Sequence, residues 1–250
     1  MPTGKVQLFV ADDDEEAARG AAADVAEVIA ATPRAAIVFA VGESPVALYG
    51  ELAERRRRGD LDTSGVRAIQ LDEYVGVARD DERSFFGWLE REVVGPLAIT
   101  GDRVLELRGD AADLDAECAR YDRAVRDLGG IDLAILGLGP NGHLGFNEPP
   151  SGPDVATRVV DLTPASIVSN ARYWGGRERV PPKAITAGMR VLLAARATIL
   201  VVSGAHKSEI LRAALLGPIT PDVPASYLRT IDGVRVYADR EAWEGLPLAQ

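Results

Sequence analysis

The stretch AIVFAVGESPVALYGELAERRRR, Ala36 to Arg58, decides the fold. Its first six residues, Ala36 to Val41, are apolar without alternation, so a strand here is covered on both faces. Gly42-Glu43-Ser44-Pro45 then makes a short turn. From Val46 the apolar positions recur three or four apart as far as Arg58, where Arg55 to Arg58 complement the negative end of a helix dipole ahead of Gly59. A doubly covered strand, a tight turn and an amphipathic helix make one βα unit of a parallel sheet.

The same alternation runs outward in both directions. Val6 to Val10, Val66 to Gln70, Leu133 to Leu138, Thr198 to Val202 and Val234 to Tyr237 read as further strands. Helices are predicted over Glu15 to Ala31, Ser84 to Val94, Asp113 to Leu128, Pro164 to Trp174, Lys183 to Ala195 and His206 to Leu216. The fold class is α/β: a doubly wound, mostly parallel open sheet with helices on both faces. No repeat, low-complexity tract or separating linker interrupts it, so residues 1–250 read as a single domain. Pro and Gly gather at Pro149 to Gly152 and at Gly175 to Pro182 around one helix, which predicts a lid at about 151–190, with an ordinary surface helix as the alternative.

Composition excludes several classes. The 250 residues are 47% hydrophobic, enough for a large core, and 28 basic against 38 acidic residues give a net charge of −10. Without a basic stripe, neither nucleic acid nor an anionic membrane is an expected partner. The single cysteine, Cys118, supplies neither an intrachain disulfide nor a zinc cluster and reads as a buried thiol on a helix. No apolar run approaches the ~18 residues that span a bilayer, and Met1 to Val10 has no signal-peptide pattern, so the cytoplasm is the expected compartment.

In such a sheet ligands bind beyond the carboxyl ends of the strands, and four of those ends are unusual. Gly42-Glu43-Ser44-Pro45 offers free backbone N–H groups at a positive helix terminus, a place for a phosphate. LDEYVG, Leu71 to Gly76, puts Asp72 and Glu73 side by side, and neighbours in extended chain face opposite ways, so one carboxylate can face a pocket. GLGPNGHLGFNEPPSGP, Gly137 to Pro153, formally matches a dinucleotide fingerprint, but its prolines forbid the helix that such a motif opens. What remains is a loop presenting Asn141, His143 and Glu148, and a loop imidazole beside a carboxylate can both give and take protons. Last, Lys207 stands in the first turn of a helix, where a cation fits if an anion shares the terminus; Arg172 can add a bidentate contact to that anion.

Taken in order, the Gly42 to Pro45 turn, LDEYVG from Leu71, GHLGFNEP from Gly142, SNARYW from Ser169, PPKAITAGMRVLL from Pro181 and SGAHKSEIL from Ser203 resemble the glucosamine-6-phosphate deaminase family. That family shares its fold with 6-phosphogluconolactonases. The resemblance implies that an amino-sugar phosphate is ring-opened, isomerised and deaminated to a ketose phosphate and ammonia, without metal or organic cofactor. It implies Asp72 as the base acting between carbons 2 and 1, and His143 as the shuttle of the ring-opening proton. Glu148 would hold the imidazole, and the phosphate would lie on the amides of Gly42, Glu43 and Ser44 with Arg172 and Lys207 closing on it.

The sequence departs from the family pattern at three points. Asn141 replaces the aspartate that usually precedes Gly-His, a form similar to galactosamine-6-phosphate relatives, which leaves the epimer open. Glu43 puts a carboxylate into the phosphate turn, and Val160 stands where regulated relatives carry a lysine, leaving Arg158 alone at that effector position. The expected partner is a small-molecule sugar phosphate, with self-association into a homo-oligomer left open. Two alternatives are a 6-phosphogluconolactonase-type hydrolase, against which Phe146-Asn147-Glu148 speaks, and a non-catalytic sugar-phosphate sensor.

Overall fold

The structure, a computed structural model describing residues 5–244, is built on the βα unit from which the sequence was read. Ala36–Phe39 forms β2, every residue of it buried, and Val46–Arg58 forms α2. Before them run β1 (Val6–Ala11) and α1 (Asp14–Ala31); after them come β3 (Arg67–Gln70), β4 (Asp72–Tyr74), α3 (Phe85–Leu89) and β5 (Val104–Leu105). The chain continues through α4 (Leu114–Asp127), β6 (Leu133–Gly137), β7 (Arg158–Asp161), α5 (Pro164–Trp174), β8 (Lys183–Thr186) and α6 (Met189–Leu192). It closes with β9 (Ala197–Val202), α7 (Ser208–Leu216), β10 (Val234–Asp239) and α8 (Arg240–Trp243).

Seven strands make one sheet in the order β1-β10-β9-β6-β2-β3-β5, with each neighbouring pair parallel. Its two faces have separate cores. On β2, Ile37 and Phe39 point into the layer made with α1 and α2, while Ala36 and Val38 point into the layer with Tyr121 and Leu211 of α4 and α7. This is why β2 lacks alternation: a strand with helices on both sides has no polar face. Edge strand β1 shows the converse, with Phe9 and Val10 exposed.

From β2 the chain winds outward to β3 and β5, then returns to place β6, β9 and β10 on the other side. The sheet therefore reverses its winding between β2 and β6, and the loops leaving these two strands diverge to open a crevice at their carboxyl ends.

A second, three-stranded antiparallel sheet, β4-β8-β7, pairs Asp72 with Thr186 and Arg158 also with Thr186. It corrects one expectation. The helix predicted over Lys183 to Ala195 is instead the strand β8 followed by the four-residue α6. Ala184, Ile185 and Thr186 are buried between β4 and β7, and this long-range pairing outweighs the helical spacing that KAITAGMRVLL shows by itself. Segment 151–190 thus contains β7, α5 and β8, so its two strands fasten the ends of the helical excursion to β4.

The caps of α5 follow from its sequence. Thr163 accepts the Ser166 N–H at the N-terminus, Pro164 fills the first turn, and Gly175 ends the helix with φ of +71°. Trp174 packs in a third cluster with Tyr74, Phe146 and Val180, which holds the C-terminal end of α5 down.

Candidate functional site

The crevice between β2 and β6 is a cavity of about 470 Å³. Its wall includes Gly42, Glu43, Ser44, Asp72, His143, Arg172 and Lys207, so seven of the nine residues singled out from sequence face one space. Asn141 and Glu148 stand behind the imidazole of His143.

Asp72 and Glu73 face opposite ways. Glu73 accepts the N–H groups of Tyr74 at 2.8 Å, Phe85 at 3.1 Å and Phe86 at 2.9 Å, and the Gln70 amide at 3.2 Å. It is a buried carboxylate satisfied at the start of α3. Asp72, 4% exposed, points into the cavity. Burial foremost, and then the charge of Glu73, push its carboxyl well above the usual range. Gly145, with φ of +56°, brings its backbone so close that a Cβ there would lie 3.3 Å from Oδ2 of Asp72 and 3.0 Å from Oγ1 of Thr186, so the loop needs glycine at this point.

His143 rests on Gly139, where an added Cβ would fall 2.1 Å from Nε2 of the ring. Its Nδ1 lies 2.6 Å from Oδ1 of Asn141, and Nδ2 of Asn141 donates to Glu148 at 3.3 Å. The bond to Glu148 orients the amide, so Oδ1 must accept from Nδ1–H and the lone pair resides on Nε2. The direct imidazole–carboxylate bond expected from the resemblance does not form: Nδ1 is 3.8 Å from Glu148, with Asn141 interposed. Burial drives the imidazole below its ordinary pKa, against the pull of the Glu148 charge.

Glu148 also caps α5. It accepts the Thr163 N–H at 2.7 Å, the Thr163 hydroxyl at 2.6 Å and the Ser166 hydroxyl. Burial opposes its ionisation, but these hydrogen bonds prevail and keep it below the usual carboxylate value. One carboxylate therefore links the histidine loop to the first turn of α5.

At the other end of the cavity the turn after β2 carries no side-chain cap for α2, and among the described residues the N–H groups of Gly42, Glu43 and Ser44 donate to no protein group. Lys207 reaches back from the turn after β9 to donate to the Leu138 carbonyl at 2.7 Å, and burial lowers its pKa. Arg172 is engaged already. It pairs with Glu43 at 2.7 Å and donates to the Tyr173 hydroxyl, which itself donates to Glu43 at 3.0 Å. The Arg172 bond is the foremost cause holding the Glu43 carboxyl below its usual value.

Several wall residues escaped sequence reasoning. Tyr74, Phe85, Phe146 and Trp174 form an aromatic side to the cavity, with Phe85 and Phe146 stacked at 5.7 Å. Tyr74 is two residues from Asp72 on the same strand, so the period of two was a usable signal for it. Its buried hydroxyl has no hydrogen-bond partner among the described residues. Thr163 and Ser166 were recognisable only as a helix start, not as ligands of Glu148. Among the described residues no group of three or more His, Cys, Asp or Glu side chains converges to hold a metal ion, and no helix is long and apolar enough to cross a membrane.

Known proteins resemble this chain along nearly its whole length. The family model described as glucosamine-6-phosphate isomerases/6-phosphogluconolactonase matches residues 12–237. A glucosamine-6-phosphate deaminase of Clostridium perfringens is 36% identical over 237 residues, which is 95% of this chain and 98% of the relative. One from Cutibacterium acnes is 36% identical over 245 residues, 98% of this chain and 94% of the relative. A solved structure described as a monomeric glucosamine-6-phosphate deaminase superposes with a TM-score of 0.92 at 35% identity, over 94% of this chain and 98% of the other. A 6-phosphogluconolactonase from Trypanosoma brucei has the same fold, with a TM-score of 0.79 at 19% identity over 98% of this chain and all of the other.

Proposed function

This chain belongs to the glucosamine-6-phosphate isomerase and 6-phosphogluconolactonase family, and we propose that it is an amino-sugar-phosphate deaminase that converts glucosamine-6-phosphate, or its galacto epimer, to the ketose 6-phosphate and ammonia. The observation that carries this reading is the shared cavity: the Asp72 carboxyl and the His143 imidazole face the same space as the free amides of Gly42 to Ser44.

The phosphate lies on those amides at the N-terminus of α2, with Lys207 beside it. His143, neutral and with its Nε2 lone pair toward the cavity, takes the proton of the carbon 1 hydroxyl and delivers it to the ring oxygen, opening the sugar. Asn141 holds the tautomer that this needs, and Glu148 holds Asn141. In the open chain Asp72 removes the proton from carbon 2 and returns it to carbon 1, while one proton leaves the amine nitrogen and one is gained by the carbon 1 oxygen, so that the carbonyl becomes a hydroxyl and the double bond lies between carbon 2 and nitrogen. Water adds to that imine and releases ammonia, leaving the ketone. The elevated proton affinity of Asp72 suits it to a carbon acid, which a carboxylate of ordinary pKa attacks poorly.

Segment 151–190 acts as the lid of this site, with α5 as its moving part. Every residue given a role in this reading comes from one copy of the chain, so the reading requires no second subunit. Incubation of the pure protein with glucosamine-6-phosphate and with galactosamine-6-phosphate, followed by ammonia determination, tests the proposal and fixes the epimer. Absence of ammonia from both refutes it, and turnover of 6-phosphogluconolactone in a coupled assay then identifies a hydrolase instead.

A further inference from the structure

The phosphate end of the cavity contains an anion of its own. Glu43 belongs to the turn whose amides are free, yet its carboxylate lies on the guanidinium of Arg172 at 2.7 Å and accepts the Tyr173 hydroxyl at 3.0 Å. Arg172 and Tyr173 come from the last turn of α5, so the contact closes the lid helix onto the turn after β2. All three side chains line the cavity. Nothing in the core depends on the contact, because the Arg172 and Glu43 side chains are 61% and 67% exposed.

A guanidinium offers its paired donors to one oxyanion at a time in good geometry. A sugar phosphate that settles on the Gly42 to Ser44 amides brings nearly two negative charges against the Glu43 side chain. We propose that Glu43 is an internal competitor for the phosphate clamp: its carboxylate occupies Arg172 until a phosphate dianion displaces it, and it thereby sets how strongly the site selects phosphorylated sugars. A doubly charged ester takes the guanidinium from a single carboxylate. A neutral sugar, or a sugar carrying one weak negative charge, has no means to do so and meets a clamp already closed on itself.

The inference rests on the phosphate placement proposed above, and it is tested without turnover. Inorganic phosphate is titrated calorimetrically into the wild type and into Glu43→Gln, which keeps the size of the side chain and removes its charge. An exposed ion pair with its share of repulsion at the turn corresponds to roughly fivefold in affinity, so the variant binds phosphate about fivefold more tightly or better, and Glu43→Ser does the same. In an Arg172→Met background the gain from Glu43→Gln shrinks to less than twofold, because the group being competed for is gone. With sugar phosphate as substrate, KM falls by a similar factor.

Unchanged or weaker phosphate binding by both Glu43 variants overturns the proposal, as does a gain of the same size in the Arg172→Met background, which would mean simple repulsion. Failure of ammonia release with a preserved phosphate effect removes the deaminase reading and leaves the competitor in place. An ammonia-releasing enzyme whose phosphate affinity ignores Glu43 does the reverse.

Discussion

Replacing Asn141 with aspartate puts a carboxylate 2.6 Å from Nδ1 of His143 and 3.3 Å from Glu148, at otherwise unchanged geometry. At an effective dielectric of about 20, the attraction between the new charge and an imidazolium is about 6 kcal/mol, and its repulsion from Glu148 is about 5 kcal/mol. A proton entering the cluster therefore rests on the imidazole rather than on the new carboxyl, by about 1 kcal/mol. The apparent pKa of the imidazole then rises from its depressed wild-type position by about one unit, on the measure of that net difference of about 1 kcal/mol. The chain has only two histidines, so an NMR titration of the imidazole carbons resolves His143 once His206 is assigned by substitution. The basic ring also opens the sugar more effectively, and the kcat/KM optimum follows the pKa upward. An imidazole pKa that stays put or falls refutes the assignment of Asn141 as the group that fixes the charge state of His143.

Asp72→Asn removes the carbon base and is expected to lower kcat by 10² to 10⁴, about the usual contribution of such a group, while phosphate binding holds; loss of binding with turnover retained contradicts the role. The same variant should gain stability, because the folded pKa of Asp72 is raised and the wild type therefore loses stability as pH climbs from the unfolded value through the folded one. Melting curves should show Asp72→Asn ahead at pH 7.5, by about 1.4 kcal/mol for each unit of elevation, and level with wild type below pH 4; a deficit at pH 7.5 counts against a strained carboxylate. Ser166→Ala takes a hydroxyl donor from Glu148, so its pKa rises and the acid limb of kcat/KM moves up by about one unit. Ser166→Thr restores the limb, and a limb that does not move in Ser166→Ala leaves Ser166 a structural residue only. Phe39→Ala, in a fully buried site against Tyr49, should cost about 3–5 kcal/mol in denaturant unfolding; a loss under 1 kcal/mol is incompatible with the two-faced burial of β2.

The main sheet was legible because its strands are short apolar runs whose character is set locally, by helices on both sides. The small sheet was not. β4 reads as the polar turn LDEY and β8 lies inside a run with helical spacing; β4 becomes a strand by pairing with β8 from more than a hundred residues away, and β8 by lying between β4 and β7. The site followed the same division. Asp72, His143 and the Gly42 turn announce themselves because catalytic residue types follow strand ends. The partners of Glu148 stayed hidden, since Thr163 and Ser166 have the ordinary look of a helix start and their second task exists only where two loops meet. The engagement of Arg172 by Glu43 was equally invisible, being a contact across 129 positions of chain.

The place of Glu148 at the head of α5 limits how the protein can be re-engineered. A designer who wants to admit a bulkier sugar will look to α5 as an interchangeable part. Beyond Ser166 that helix can be swapped for another sequence with Arg172, Tyr173 and the anchor Trp174 kept, but the turn from Thr163 to Ser166 cannot, because a graft that alters it leaves the carboxylate short of donors and slackens the histidine held behind it through Asn141. Selectivity and proton transfer are thus separable along α5 everywhere except in its opening turn.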